Sequence, residues 1–231
     1  MASLMLVGLL IVGAVFVVLS DDGGGEVAQS PTPQATTTTQ PTQMPSESST
    51  ETDDCDLKDK RQKLPESAPD DINWTLWKGM ALPASESAGP LEVDDENGVT
   101  RCYARTPMGA VMATMNIGFR TWLAAPDTSV VDKQYAEGAF KDEVRAMVAG
   151  EGSVRSPAQI AGFRILAYSK SDAIVEVAVG DSRSGYAKGQ ATLTWADGSW
   201  KAVATAEHVS DGGGWQGINS IDGFIELRGV D

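Results

Sequence analysis

The sequence predicts an α+β domain carried on a long tether behind a membrane anchor. Three observations predict it. An uncharged apolar run opens the chain, a Thr/Pro/Ser-rich stretch follows it, and the remainder changes from a helical period to a strand period. Runs of helix followed by runs of strand are the α+β layout. The expected order is an N-terminal transmembrane helix, a disordered linker, and helices packed on a curved antiparallel four-stranded sheet.

Residues 2–19 are 18 consecutive positions without a charge. At about 1.5 Å of rise per residue they span roughly 27 Å, close to a bilayer core of about 30 Å. A secretory signal has a shorter apolar region, about 7–15 residues, behind a basic start. No Lys or Arg precedes this run; a start further upstream would supply a basic leader. Residues 1–20 are therefore expected to be an anchor, giving a single-pass cell-membrane protein with its C-terminal domain outside the cytoplasm. The alternative is secretion after cleavage near Ser20, where Val18-Leu19-Ser20 offers a small residue. Asp21 and Asp22 fit export, because cytoplasmic flanks are usually basic.

Residues 21–56 are dominated by Pro, Thr, Ser and Gln. Such a segment buries too little apolar surface to offset its ordering entropy and is expected to be a disordered linker. Its 36 residues give a root-mean-square reach of roughly 30–36 Å. Residues 57–231 have globular composition and the size of one domain. Within it, 57–102 reads as an irregular lead segment and 103–231 as a helix–sheet core. Cys55 and Cys102 are the two cysteines and lack metal-ligand spacing. In an exported chain such a pair reads as a disulfide, two free thiols being the other reading.

With 18 Lys and Arg against 32 Asp and Glu, the net charge is −14. Nucleic acid is excluded as a partner, since its phosphates need a basic surface. The cluster Lys58, Lys60, Arg61 and Lys63 is broken by Asp59 and reads as a solvated face.

In the lead segment, Trp74 and Trp77 are apolar pegs for the core. Thr106-Pro107 starts a helix: Thr caps well and Pro suits the first helical position. Met108, Met112, Met115, Phe119 and Trp122 follow at steps of 4, 3, 4 and 3, one helical stripe. The stripe faces the core or, because Met is soft and adaptable, a groove. Gly109 and Gly118 permit close packing. Asn116 and Arg120 lie one turn apart off the stripe and are placed to hold the lead segment's carbonyls or an incoming partner. Pro126 ends the helix. A second helix is expected over 130–148, closed by Gly150 and divided at Gly138.

Four runs of strand composition come next: 162–170, 173–181, 189–196 and 199–207. The last two join at Asp197-Gly198, a pair preferred in type I′ hairpins. That turn pairs Ala196 with Ser199, Trp195 with Trp200 and Leu193 with Ala202. The tail around Phe224 reads as a short helix or strand.

A set of residues carries a family resemblance: Ala81-Leu82-Pro83, Ser85, Gly89-Pro90, Tyr103-Ala104, Thr106-Pro107, Gly109-Ala110, Asn116, Arg120 and the Trp195–Trp200 hairpin. The chain resembles exported, membrane-anchored proteins of actinobacteria and their mobile elements over about residues 70–230. That family looks like the cone-shaped fold of nuclear transport factor 2, also found in the outer domains of type IV secretion and conjugation assembly subunits. The resemblance implies a cone-like domain and brings no activity with it.

No catalytic residues stand out. His208 is the lone histidine and reads as a satisfied strand-end residue, with Glu207 on the opposite side. One His and two Cys cannot build a structural zinc site. The acids Asp54, Asp56, Asp94, Asp95 and Glu96 lack calcium-loop spacing. No phosphate-binding or nucleophile-elbow motif occurs. The expectation is a non-enzyme with no cofactor and no metal. It would be a structural or interaction protein whose partners are the membrane and envelope or secretion proteins. The alternative is a binder of a small apolar ligand in a pocket between the stripe and the sheet. Candidate pocket or interaction residues are Met112, Met115, Phe119, Trp122, Trp195, Trp200, Asn116 and Arg120.

Overall fold

The computed structural model describes residue 55 and residues 57–150, 158–210 and 214–227. The expected anchor and nearly all of the linker lie outside them. The described residues fall in the compact unit Ser49–Asp231, and its architecture is α+β, with helices and antiparallel sheets.

The lead segment is more regular than its sequence indicates. β1 (Ile72–Trp77) and β2 (Met80–Ser85) form a hairpin, and β3 (Glu92–Val93) pairs with β4 (Thr100–Arg101). Lys78 (φ 46°) and Gly79 (φ 83°) make the β1–β2 turn. Two successive positive φ values are what a type I′ hairpin turn needs; Lys in the first place hides the signal. Cys55 and Cys102 form a disulfide with Cα atoms 5.3 Å apart, as exported domains commonly carry.

Helix α1 (Pro107–Ala124) starts at Thr106, whose Oγ1 accepts from the Gly109 N–H at 3.1 Å. The Thr106 hydroxyl in turn donates to the buried Asp59 carboxylate at 3.0 Å. At Gly109 a Cβ would run into the Ala104 carbonyl, so the helix entry is as tight as a bare backbone allows. Of the 18 residues of α1, 15 are buried. It is therefore covered all round rather than amphipathic, with the β1–β2 hairpin on one side, the main sheet on the other and α2 (Ser129–Gln134) alongside. The expected second helix is two: α2, then α3 (Lys141–Gly150), with Gly138 between them. The chain leaves α2 extended at Tyr135, which bridges to Ala202, and Ala136 N–H donates to the Ala202 carbonyl at 2.8 Å. Gly150 is the last residue of α3 rather than a cap beyond it.

The main sheet has six strands, not four. β5 (Ile160–Tyr168), β6 (Asp172–Asp181), β7 (Gly185–Ala196) and β8 (Ser199–Val203) form the expected meander. After α4 (Ala206–Ser210), β9 (Gln216–Ile218) pairs with β7 and β10 (Ile225–Glu226) pairs with β5. The addition of β9 has a simple cause. β8 reaches only from Ala196 to Thr192 on the 12-residue β7, and β9 takes up Tyr186 to Lys188 on the same edge. Asp197 (φ 51°) and Gly198 (φ 70°) make the β7–β8 turn, and the register pairs Trp195 with Trp200 and Leu193 with Ala202 as expected.

Gly118 sits in the middle of α1 with nothing within 4 Å of where a Cβ would be. Gly118→Ala therefore removes a helix-interior glycine without a clash and is expected to raise stability by about 1 kcal/mol. Urea unfolding of the full chain measures this; a loss of stability would contradict the open space at this position.

Candidate functional site

Small residues on the facing surfaces of α1 and the sheet leave a gap between them. A cavity of about 290 Å³ lies between the C-terminal half of α1 and strands β6–β8. Helix α1 contributes Ile117, Gly118, Phe119, Trp122 and Leu123. The sheet contributes Val177, Val179, Gly189, Ala191 and Leu193. His208 of α4 and Trp215 close one side. The Trp215 and Phe119 rings stack with centroids 6.0 Å apart. A Cβ on Gly189 would lie 3.2 Å from the Trp215 ring, so glycine at this strand position lets the indole lie against the backbone. Trp215 remains 38% exposed and is the cavity's solvent-facing wall. No charged side chain is among the described residues that line the cavity.

His208 is its most informative polar group. Its Nδ1 accepts the Thr205 backbone N–H at 3.1 Å and lies 2.8 Å from Thr205 Oγ1. A backbone N–H only donates, so Nδ1 holds a lone pair and the neutral ring carries its proton on Nε2. Thr205 and His208 stand in the positions of a capping box, with His replacing the usual Glu or Gln. That is why the fourth strand run stops at Val203 and turns into α4, and why Glu207 and His208 are helical rather than on opposite sides of a strand.

Burial pulls the His208 pKa below its ordinary 6.5, with Glu207 opposing weakly. A lowered folded-state pKa means the unfolded chain takes the proton first. The stability from neutral His208 is thus complete above about pH 6.5 and is lost as pH falls below it. Protonation also turns Nδ1 into a donor and breaks the box. Unfolding measured from pH 7.5 to 5 is expected to show this loss, and His208→Gln, which keeps an acceptor at that position, is expected to reduce it. An unchanged pH profile in the variant would contradict the assignment.

A family model described as "Domain of unknown function (DUF8175)" matches residues 33–226. The chain belongs to the DUF8175 family. No curated protein matches it, and no solved structure does. The DUF8175 match takes in every described element that builds the cavity.

Within this DUF8175 domain the candidate residues separate into groups. Phe119 and Trp122 line the cavity. Met112 and Met115 do not; both are fully buried in the packed core, whose gaps flexible thioethers fill. Trp195 and Trp200 also lie outside the lining, so the pocket expected beside them is displaced toward the other end of α1. Trp200 is fully buried, donates from Nε1 to the Ala104 carbonyl at 2.9 Å and meets Trp195 edge-on at 5.3 Å. The Arg105 guanidinium lies 5.2 Å over the Trp195 ring.

Asn116 donates from Nδ2 to the Pro83 carbonyl at 2.8 Å, tying α1 to β2. Its Oδ1 accepts from Arg120 Nε at 3.3 Å, and the buried guanidinium lies 4.7 Å from the Trp77 ring centroid. Burial lowers the Arg120 pKa, opposed by Tyr103 and Asp95. These two side chains hold the lead segment.

Glu176 lies on the sheet face opposite Val177 and Val179 and is buried between Lys188 Nζ, 2.7 Å away, and the Arg164 guanidinium. Burial pushes its carboxyl up, but hydrogen bonds from Lys188 and Arg164 outweigh this and hold it below the ordinary carboxylate range. It is matched by bases, not by a second acid. Among the described residues no group of three or more His, Cys, Asp or Glu is arranged to hold a metal ion.

His208, Gly189 and Trp215 were not among the candidates. The usable signals were a glycine at the head of a strand run and an aromatic residue directly after Gly212-Gly213-Gly214.

Proposed function

We propose that this chain is a membrane-anchored, extracytoplasmic binding domain whose working site is the apolar cavity between α1 and strands β6–β8. The cavity carries the reading: its volume is near the lower end of small-molecule sites, and its walls are aromatic and aliphatic with few polar groups. The uncharged run at residues 2–19 supports the anchor, and the disulfide supports export. Helices on one face of an antiparallel sheet, with a cavity between, also support likeness to the cone-shaped fold of nuclear transport factor 2.

The test is calorimetric titration of 2-ethylnaphthalene into the full chain in lipid nanodiscs, with empty nanodiscs as the blank. Saturable one-to-one binding is expected. Gly118→Leu, which projects a side chain from α1 into the open space, is expected to fold and to abolish binding. Binding that does not saturate, or that survives Gly118→Leu, rejects the site.

A second reading is favoured by the exposure of apolar side chains. Leu64, Leu76, Leu91 and Val93 are large apolar side chains exposed on the lead segment, Leu76 at 74%. Contact with an envelope protein, or with a conjugation or secretion apparatus, would cover them. A photo-crosslinking residue at position 76 in cells tests it: one discrete adduct with such a protein is expected, and no adduct removes the reading.

A further inference from the structure

We propose that the cavity takes an uncharged ligand: an apolar body about two fused rings in size, bearing one carbonyl-type acceptor that receives the His208 Nε2–H. This rests on the binding reading above and specifies its ligand.

Size comes first. About 290 Å³ is roughly twice the ~150 Å³ cavity that binds a benzene. The stacked Phe119 and Trp215 rings, inclined by 28°, give this space an aromatic wall suited to a flat body.

Charge comes next. No Lys, Arg, Asp or Glu is among the described lining residues. A carboxylate would find no cation among the described lining residues, and burying it unpaired costs several kcal/mol; the chain's net charge of −14 also opposes its approach. A cationic ligand finds no acid among the described lining residues, and it meets the positive end of the imidazole N–H.

The acceptor follows from the remaining polar groups. The Thr114 hydroxyl donates to the Ala110 carbonyl at 2.9 Å, and the Tyr135 hydroxyl accepts from that of Thr121 at 3.4 Å. Gln190 and Thr192 pair with Glu176 and Ile174, so their side chains share the sheet face turned away from Val177 and Val179. His208 is different. The Thr205 N–H fixes its tautomer, so it presents a donor while carrying no charge. A neutral donor in an apolar chamber favours a neutral acceptor beside it, since a ligand lacking one leaves that N–H desolvated and unpaired. The Trp122 and Trp215 indoles also line the cavity, and the His208→Phe comparison below separates their N–H groups from that of His208.

Three probes on one naphthalene body test this in the full chain in nanodiscs at pH 7.5: 2-acetylnaphthalene, 2-ethylnaphthalene and 2-naphthoate. The ketone is expected to bind roughly three- to tenfold more tightly than the ethyl compound, and the carboxylate more weakly than either. The wild-type comparison tests the need for an acceptor on the ligand without any variant. His208→Phe is then expected to erase the ketone's advantage, and His208→Gln, which restores a back-bond to Thr205 and an N–H donor, to recover it. Equal affinity for ketone and ethyl compound overturns the ligand assignment while leaving the cavity a binding site. So does tightest binding of 2-naphthoate, or a ketone preference that persists in His208→Phe. Failure of all three probes to bind overturns the assignment and the binding reading together.

Discussion

Replacing both cysteines by serine (C55S/C102S) is expected to destabilise the chain by roughly 4 kcal/mol, the largest effect of any change outside the core. The bond closes a separation of 47 residues, and chain-entropy scaling for a loop of that length gives about 4 kcal/mol. The native geometry explains why the loss falls on folding. Just after Cys55, Leu57 is buried to 3% exposure, and the Asp59 carboxylate accepts from Thr106 Oγ1 at the start of α1. With the crosslink gone, the ordering of this stretch has to be offset by non-covalent contacts such as these. Urea unfolding of the oxidised full chain against the double-serine variant measures the difference. A loss below about 1 kcal/mol would mean that the unfolded chain gains little freedom when the loop opens.

Trp200→Ala is expected to cost about 3–5 kcal/mol, a large part of the 5–15 kcal/mol that holds a typical domain together. Trp200 is fully buried between β8 and the start of α1. Its removal leaves a cavity and deprives the Ala104 carbonyl of the indole N–H. Trp195→Ala, on the half-buried partner, is expected to cost markedly less, because water already reaches that ring. The two variants compared by urea unfolding check the ordering. A Trp200→Ala chain within 1 kcal/mol of the parent would contradict the role given to this indole.

Local rules that are complete within a few residues proved legible. Thr106-Pro107 begins α1 because capping and a fixed φ are properties of those two residues. Asp197-Gly198 sets the β7–β8 register because both accept positive φ. Features that depend on distant partners did not show. β9 and β10 are three and two residues long, too short for any period, and exist because β7 and β5 offer them an edge. Met112 and Met115 carry the same helical spacing whether they face a void or a solid core, and the packing of distant segments decides between the two. The cavity combines Gly118, Gly189, His208 and Trp215 from four separate segments. Its signature is the smallness of residues that meet only after folding. Thr205-x-x-His is a weak sequence signal for a helix start because His is an uncommon partner in that box.

The near-complete enclosure of α1 also bears on how the chain reaches its native state. Translation delivers this helix well before β5–β8, and those strands are what hide its inner side from water. For the time needed to synthesise them, a stretch with almost no hydrophilic face is bare and prone to stick to whatever is near. Newly made chains are thus most in need of a holdase between the appearance of Ala124 and that of Val203.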